Sequence, residues 1–263
     1  MHTTLRYFLY GLSFVILTVF TQIGGIALLV GVFACKHIKF RFNRLVLPLA
    51  AYAIFTFVIT PIVAPLCGRE RVKNSDKIKP TSFATILLNR NYVKPALNTL
   101  LFNTAEQLPS DFELKYLDAN FPFINKFPLL PHLSHSDGKK IDISLMYQSS
   151  DGQQTNRKPS RTGYGVFVEP TASEYNQTLE CKRMGYYQYD FPKYLTLGTV
   201  NSDIRFSTQY TKTLIEALLK SSQLQKLFVE KHLTSRMDLS DSRIRFQGCR
   251  AVRHDDHIHI QIK

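Results

Sequence analysis

The chain has 263 residues, which is long enough for one large domain or two small ones. It carries 33 Lys and Arg residues against 20 Asp and Glu residues, a net charge of +13. An apolar content of 44% excludes a disordered chain, and four cysteines are too few for a disulfide scaffold. The mean hydropathy of −0.10 is that of a soluble protein, but it averages over very different parts of the chain.

Two uncharged runs open the chain, the first from Tyr7 to Cys35 and the second from Leu45 to Gly68. Each is long enough, as a helix, to cross a hydrocarbon core of about 30 Å. A cleaved signal peptide is the alternative for the first run, but the run is too long for that and a second run follows directly. The sequence therefore predicts a two-helix transmembrane hairpin over residues 1–68.

Positive charge flanks both runs and does not decide their orientation. The loop between the runs has no acid and four basic residues, namely Lys36, Lys39, Arg41 and Arg44. This loop favours a cytoplasmic position, but a second basic cluster in residues 69–79 favours the opposite topology. Residues 1–80 carry +8 of the net charge of +13. Most of the positive charge thus lies beside the predicted anchor, where anionic lipid head groups attract basic residues. No basic face interleaved with aromatic residues indicates a nucleic-acid partner.

The rest of the chain predicts an α+β domain. Residues 69–80 are polar and read as a linker, and residues 81–263 are long enough for a catalytic domain with its own core. Apolar stripes of helical period predict helices around Tyr92–Ala105 and over Thr211–His232. The core positions of these helices are Val93, Leu97, Leu100 and Leu101 in the first, and Leu214, Leu218, Leu224 and Phe228 in the second.

A first histidine cluster, at residues 131–143, combines His132 and His135 with the pattern of a strand. Two isoleucines alternate with Asp142, which buries the isoleucines on one face and directs Asp142 to the other. Gly138 permits a sharp reversal that would bring His135 back over this polar face.

A second cluster closes the chain at residues 253–262. His257 and His259 point to one face of a predicted strand, and three alternating isoleucines point to the core. The two histidines of an H-x-H pair on a strand often only face solvent and bind no metal. Two histidines and a carboxylate with an open fourth position are, however, the ligand set of a catalytic zinc site, and the two clusters together supply it.

Together the clusters resemble the LAS-type zinc metallopeptidases, the group of lysostaphin and the D-Ala-D-Ala carboxypeptidases. The signature of that group is a histidine, a glycine three residues on, an aspartate seven residues on, and a late H-x-H. The matching residues are His135, Gly138, Asp142, His257 and His259.

Within this group the chain resembles the penicillin-insensitive murein endopeptidases, which share a P-H-x-S-H stretch and a late H-D-D-H-x-H. The likeness runs from about Asn89 to Ile262 and is dense only at the two clusters. The long intervening loop and the predicted spans depart from that family, whose members are soluble and periplasmic.

The resemblance implies a small antiparallel sheet flanked by helices and carrying one Zn²⁺ ion. It implies His135, Asp142 and His259 as zinc ligands and His132 as a further metal contact. Two residues are candidates for the general base that takes a proton from the zinc-bound water. His257 lies on the same strand face as the last ligand, whereas Asp256 matches an acid that related carboxypeptidases place three residues before it.

The remaining charged residues of the second cluster have several possible roles. His254 and Arg253 are candidates for substrate binding, although Arg245 and Arg90 could equally grip a substrate carboxylate. Asp255 and Asp256 could instead hold the N–H groups of ligand histidines.

The function expected from this resemblance is zinc-dependent hydrolysis of D-amino-acid peptide bonds in peptidoglycan cross-links by a membrane-anchored peptidase. Its partners are then peptidoglycan peptides and membrane lipid. The catalytic domain then lies on the periplasmic side of the inner membrane. A disulfide between Cys181 and Cys249 would agree with that compartment, but two free thiols fit the sequence equally well.

Three alternatives remain open at this stage. The domain could retain zinc and only bind cell-wall peptides without cleaving them. It could be a D,D-carboxypeptidase, a dipeptidase or another metallopeptidase of the same architecture. A non-enzymatic, basic membrane adaptor with an incidental histidine strand would require both clusters to arise by coincidence.

Overall fold

The computed structural model describes residues 3–263, which form two compact units. The first unit contains the described residues up to Val72 together with Ala84–Pro95 and Ala119–Gly138. The second unit contains Lys73–Phe83, Ala96–Asp118 and Lys139–Lys263. The structure is of the mixed α+β class that the sequence predicts.

The helices of the described residues include four in the apolar N-terminal part and five in the rest of the chain. In chain order they are α1 (Thr3–Thr21), α2 (Gly24–His37), α3 (Asn43–Ile54), α4 (Thr60–Val63), α5 (Phe83–Leu87), α6 (Pro95–Gln107), α7 (Gln177–Arg183), α8 (Thr208–Leu219) and α9 (Lys231–Arg236). A π-helical segment, Phe55–Ile59, joins α3 to α4, and 3₁₀ segments cover Ala64–Cys67 and Tyr187–Leu195.

Most strands are short. In chain order they are β1 (Glu70–Arg71), β2 (Ile78–Pro80), β3 (Tyr92–Val93), β4 (Leu114–Tyr116), β5 (Lys140–Ser144), β6 (Tyr147–Gln148), β7 (Gln154–Thr155), β8 (Arg205–Phe206), β9 (Leu224–Phe228), β10 (Ile244–Arg245) and β11 (His257–Ile262).

Two helical segments of the first unit are long and apolar enough to cross a membrane, namely Thr4–Thr21 and Asn43–Cys67. The first uncharged run differs from the single helix that the sequence predicts, because it forms two helices, α1 and α2. The chain breaks at Gln22, whose φ of 64° is left-handed, and the Thr21 hydroxyl accepts a hydrogen bond from Gly24 N at 2.9 Å. Helix α2, with 14 residues, is only about 21 Å long and falls short of a membrane core.

The second apolar segment is a continuous helical stretch with a local irregularity. Its π-helical turn precedes Pro61, which has no N–H to donate to the preceding turn. Gly31 of α2 packs against Pro48 of α3 so closely that a Cβ at position 31 would lie 2.3 Å from Pro48 Cα. Gly68, with a φ of 70°, ends the stretch in the left-handed conformation that glycine favours.

The central sheet of the second unit has six strands in the order β10-β9-β11-β5-β4-β2. The pairs around its centre are antiparallel, as the sequence predicts, and the two outer pairs, β10 with β9 and β4 with β2, are parallel. Ile141, Ile143, Ile258 and Ile260 are fully buried. The predicted strands at both histidine clusters are therefore present and adjacent.

The predicted helices are only partly correct. Helix α6 buries Leu97, Leu100 and Leu101 as expected, but it begins only at Pro95, because Tyr92 and Val93 form β3 instead. The predicted helix over Thr211–His232 is wrong beyond Leu219, because residues 224–228 form β9 instead. This segment hydrogen-bonds to β11 along its length, and that pairing overrides the helical spacing of its apolar residues.

One disulfide joins Cys181 and Cys249 in the second unit, with the two Cα atoms 5.3 Å apart. This resolves the alternative that the sequence left open. Cys35, within α2, and Cys67, the last residue of the second apolar segment, are free thiols.

Candidate metal centre

Adjacent strands place two of the predicted ligands side by side. The antiparallel register of β11 and β5 puts His259 directly opposite Asp142, and His259 Nδ1 lies 2.8 Å from Asp142 Oδ1. The second oxygen of Asp142 accepts a hydrogen bond from the Tyr164 hydroxyl at 2.8 Å. Asp142 and His259 are 1% and 4% exposed, so the carboxylate is held in a fixed direction away from bulk water.

Three of the predicted metal contacts form a compact group. One ligand atom from each of His132, His135 and Asp142 lies within 4.8 Å of the other two. The Nδ1 atom of His135 lies 2.7 Å from the carbonyl oxygen of Ala119. Because a carbonyl only accepts, Nδ1 of His135 is the donor in this contact, and Nε2 is the nitrogen that remains for a metal ion.

His259, the fourth predicted contact, lies outside this group and is hydrogen-bonded to Asp142 instead. Its ring packs against Phe228 of β9, with ring centroids 5.4 Å apart. The structure thus brings together His132, His135 and Asp142 directly and holds His259 against the carboxylate of that group.

The two candidate general bases form a buried pair. His257 Nδ1 lies 2.5 Å from Asp256 Oδ1, and the other carboxylate oxygen of Asp256 accepts from the backbone N–H of Gly165 at 2.5 Å. The opposite nitrogen of His257, Nε2, lies 3.8 Å from Asp142 Oδ2. His257 therefore faces the metal-binding carboxylate while Asp256 lies behind it.

The two residues predicted to bind substrate differ in position. The ring of His254 lies 4.6 Å from that of His257, and its Nδ1 donates to the carbonyl of Val252 at 2.9 Å. Arg253 is only 2% exposed, and its guanidinium donates to the carboxylates of Asp255, Asp190 and Glu169. Its position is that of a structural anchor for the segment that precedes the site histidines.

The other two arginine candidates lie elsewhere. Arg90 donates to the carbonyl of Leu130 at 2.7 Å, and Arg245 is exposed on the edge strand β10.

Sequence reasoning missed Tyr164 and Gly165, which lie in the long loop between the clusters. The hydroxyl of Tyr164 also accepts from the backbone N–H of Asp118 at 3.1 Å. Burial and the nearby carboxylates of Asp118 and Asp142 raise the pKa of Tyr164 well above its usual value, so it stays a hydrogen-bond donor. The only signal in the sequence is the pair of glycines around Tyr164, both of which have positive φ.

Gly165 has a specific steric role. Its φ is 79°, and a Cβ at this position would lie 2.3 Å from the carbonyl oxygen of Pro192. A larger residue would clash with this oxygen and would be strained at this φ. Glycine alone therefore lets the backbone N–H of position 165 reach Asp256.

The donor set fits a transition metal such as zinc. Imidazole nitrogens are borderline donors that suit zinc, which also binds carboxylate oxygens, whereas Mg²⁺ and Ca²⁺ favour oxygen ligands alone. The three side chains are 9%, 1% and 1% exposed for His132, His135 and Asp142 respectively. The site thus defines an α+β protein with a buried His/His/Asp group that could hold a metal ion. No protein-family model matches the chain, and no curated protein matches its sequence.

Proposed function

We propose that this protein is a membrane-anchored zinc peptidase that hydrolyses peptide bonds in peptidoglycan cross-links. The observation that carries the proposal is the convergence of His132, His135 and Asp142 to within 4.8 Å, beside the buried His257–Asp256 pair. The resemblance of both clusters to the LAS-type metallopeptidases supports the choice of substrate.

His132, His135 and Asp142 would hold the zinc ion, and His259, already 2.8 Å from Asp142, would be the further donor. Zinc bound by such a set lowers the pKa of a coordinated water towards about 7 and polarises a carbonyl oxygen.

Of the two candidate bases, the geometry favours His257. Both oxygens of Asp256 are engaged, one by His257 Nδ1 and one by the N–H of Gly165. Asp256 therefore fixes the proton of His257 on Nδ1 and leaves Nε2 to accept a proton on the side of Asp142. In this assignment Asp256 is the positioning residue and His257 is the base.

A cleft of about 500 Å³ beside this pair supports a peptide substrate with free carboxylates. Gly165 lines the cleft together with three basic residues, Lys182, Lys193 and Arg253, and two acidic residues, Glu169 and Asp190. Both lysines pair with Asp190, and Arg253 pairs with Asp190 and Glu169, so the lining keeps one basic residue more than it has acids. Wall peptides carry carboxylates that this small excess of positive charge attracts.

The apolar helices and the disulfide support the proposed location. Two helical segments long enough to span would anchor the chain in the inner membrane as a multi-pass protein. The Cys181–Cys249 bond favours an oxidising compartment and hence a catalytic domain on the periplasmic side. A Cys-accessibility assay with a membrane-impermeant thiol reagent on Cys67, which is exposed, tests this side directly in intact and permeabilised cells.

Purified full-length protein in detergent, incubated with defined cross-linked muropeptides, tests the activity by mass spectrometry. New fragments are expected with bound zinc and are lost with a chelator. Zinc retention without any fragments would replace the proposal by the wall-binding alternative. Neither zinc nor fragments would overturn it.

A further inference from the structure

A second cleft of the second unit, lined by residues outside both histidine clusters, is strongly basic. It has a volume of about 480 Å³. The residues that the argument uses are Thr81, Lys115, Arg157, Lys158, Arg161 and Asn201, all of which line it.

The most unusual residue of this cleft is Lys158. Its side chain is buried, at 6% exposure, and its ammonium donates to the carbonyl of Leu145 at 3.2 Å. Within residues 3–263 this is the one hydrogen bond of an ammonium that can make three, and Lys158 has no ion pair there; its ammonium also lies 5.3 Å from the centre of the Tyr147 ring. Burial and repulsion from Lys115 lower the pKa of Lys158 to about 7, against the weaker attraction of Glu113. A buried ammonium group that has one hydrogen bond and no ion pair would be stabilised in its charged form by a bound anion.

The other cations of the cleft are only partly neutralised. Glu113 pairs with Lys115 at 2.7 Å but is shared with Lys79 at 2.6 Å. Arg157 pairs with Asp203 at 2.5 Å. Arg161 is exposed and, like Lys158, has no ion pair among the residues that the structure describes. At a pKa of about 7 the Lys158 ammonium is about half charged at neutral pH, so Lys158 and Arg161 line the cleft with between about one and two positive charges that have no ion pair among the described residues.

The cleft also holds a neutral donor without a partner. The hydroxyl of Thr81 is buried and makes no hydrogen bond within the described part of the chain. A buried hydroxyl left unpaired is destabilising, and one that lines a basic cleft can donate to a bound oxyanion.

From these observations we propose that this cleft binds a dianionic phosphoryl group. Lys158 and Arg161 supply its counter-charge, and the Thr81 hydroxyl supplies a hydrogen bond. A phosphate monoester or inorganic phosphate carries about −1.5 to −2 at pH 7, and such an anion when bound also favours the charged form of Lys158, so that Lys158 and Arg161 together match its charge. Arginine and lysine donors suit the three or more oxygens of a phosphoryl group. This site does not depend on the proposed peptidase activity.

Isothermal titration calorimetry of the full-length protein in a neutral detergent tests the proposal. One arm titrates inorganic phosphate and the other titrates phosphatidic acid in mixed micelles. Saturable binding of inorganic phosphate identifies a soluble phosphoryl ligand, and binding of phosphatidic acid alone identifies a lipid head group. Succinate is the control for charge alone.

Arg161→Gln and Lys158→Met are each expected to weaken binding by about tenfold or more, since each removes a charge-assisted contact. Arg161 is exposed, so its variant keeps the test valid if Lys158→Met does not fold. Lys220→Gln, at an exposed lysine outside the cleft, is the matched control and should bind like the wild type. Absence of binding in both arms, equal binding of succinate, or unchanged affinity in Arg161→Gln would overturn the proposal.

Discussion

His257 and Asp256 form a buried pair in which His257 Nδ1 lies 2.5 Å from Asp256 Oδ1. The other oxygen of Asp256 accepts from the N–H of Gly165, so the carboxylate cannot rotate without losing a hydrogen bond. Because a carboxylate only accepts, the imidazole proton lies on Nδ1. The pair therefore determines which nitrogen of His257 is available for proton transfer.

We expect Asp256→Asn to lower kcat by about a hundredfold or more while zinc content stays unchanged. An asparagine can keep its oxygen towards Gly165, but it then presents an amide N–H to His257 Nδ1 and selects the wrong tautomer. The measurement is steady-state cleavage of a defined muropeptide alongside metal analysis. Asp203→Asn, at an exposed aspartate, is the control. Wild-type kcat in Asp256→Asn would remove the assigned role of the pair.

The sequence was most informative where short-range pattern and tertiary pairing agree. Alternation around Asp142 and His259 predicts two strands, and the structure pairs these strands with the two residues opposite each other. The fold class follows from the strand and helix patterns, whereas the combination of His132, His135 and Asp142 as metal contacts was implied by the resemblance to the LAS-type metallopeptidases.

The sequence was least informative where the local structure is determined by contacts between residues that are distant in sequence. Residues 224–228 have helical spacing, but their backbone pairs with β11, which is distant in sequence. Tyr164 reaches Asp142 across 22 positions from within a polar loop that carries no periodic signal. The break at Gln22 depends on a local left-handed conformation that hydropathy does not report.

Replacing His135 or Asp142 by alanine should abolish zinc binding, because each variant removes one of the four proposed donors and leaves only two of the three that converge to within 4.8 Å. The expected metal content falls from one ion per chain to none, as measured by mass spectrometry of the purified protein. His37→Ala, an exposed histidine outside both clusters, should keep its zinc. Full zinc occupancy in both His135→Ala and Asp142→Ala would place the metal elsewhere.

Tyr164→Phe should weaken zinc binding without unfolding the protein. The change removes the hydroxyl that donates to Asp142 Oδ2 at 2.8 Å and keeps the buried ring. Loss of a partner that orients a metal ligand reduces affinity by about 10- to 100-fold. Competition with a fluorescent chelator measures this affinity. Tyr194→Phe, at an exposed tyrosine, serves as the comparison, and equal affinities in the two variants would contradict the role of Tyr164.

The Cys181–Cys249 disulfide should contribute strongly to stability. It closes a loop of 68 residues, for which chain entropy predicts a contribution of about 4 kcal/mol. Cys181→Ser with Cys249→Ser should therefore lower the free energy of unfolding by roughly this amount in urea. Cys67→Ser removes an exposed free thiol and should leave stability unchanged. A double variant as stable as the wild type would show that the loop is already ordered without the bond.

Asp190 is the acceptor at the centre of a buried ion-pair cluster. One oxygen accepts from Lys182 and Lys193, at 2.5 and 2.8 Å, and the other accepts from Arg253 at 3.1 Å. Burial acts to raise the pKa of Asp190, but these hydrogen bonds outweigh it and lower the pKa to about 2.

Because of this lowered pKa, the free energy of unfolding should decrease as the pH falls from about 4 to about 2. A carboxyl group whose pKa is lower in the folded chain stabilises it fully above its unfolded pKa of about 4, and the contribution is lost as pH falls through about 2. Asp190→Asn should therefore cost roughly 1–2 kcal/mol at pH 7, where partial solvent screening of the lysines limits the value, and much less at pH 2. Urea unfolding of both proteins at the two pH values measures this. A cost that is the same at pH 7 and pH 2 would mean that Asp190 acts through packing rather than through its charge.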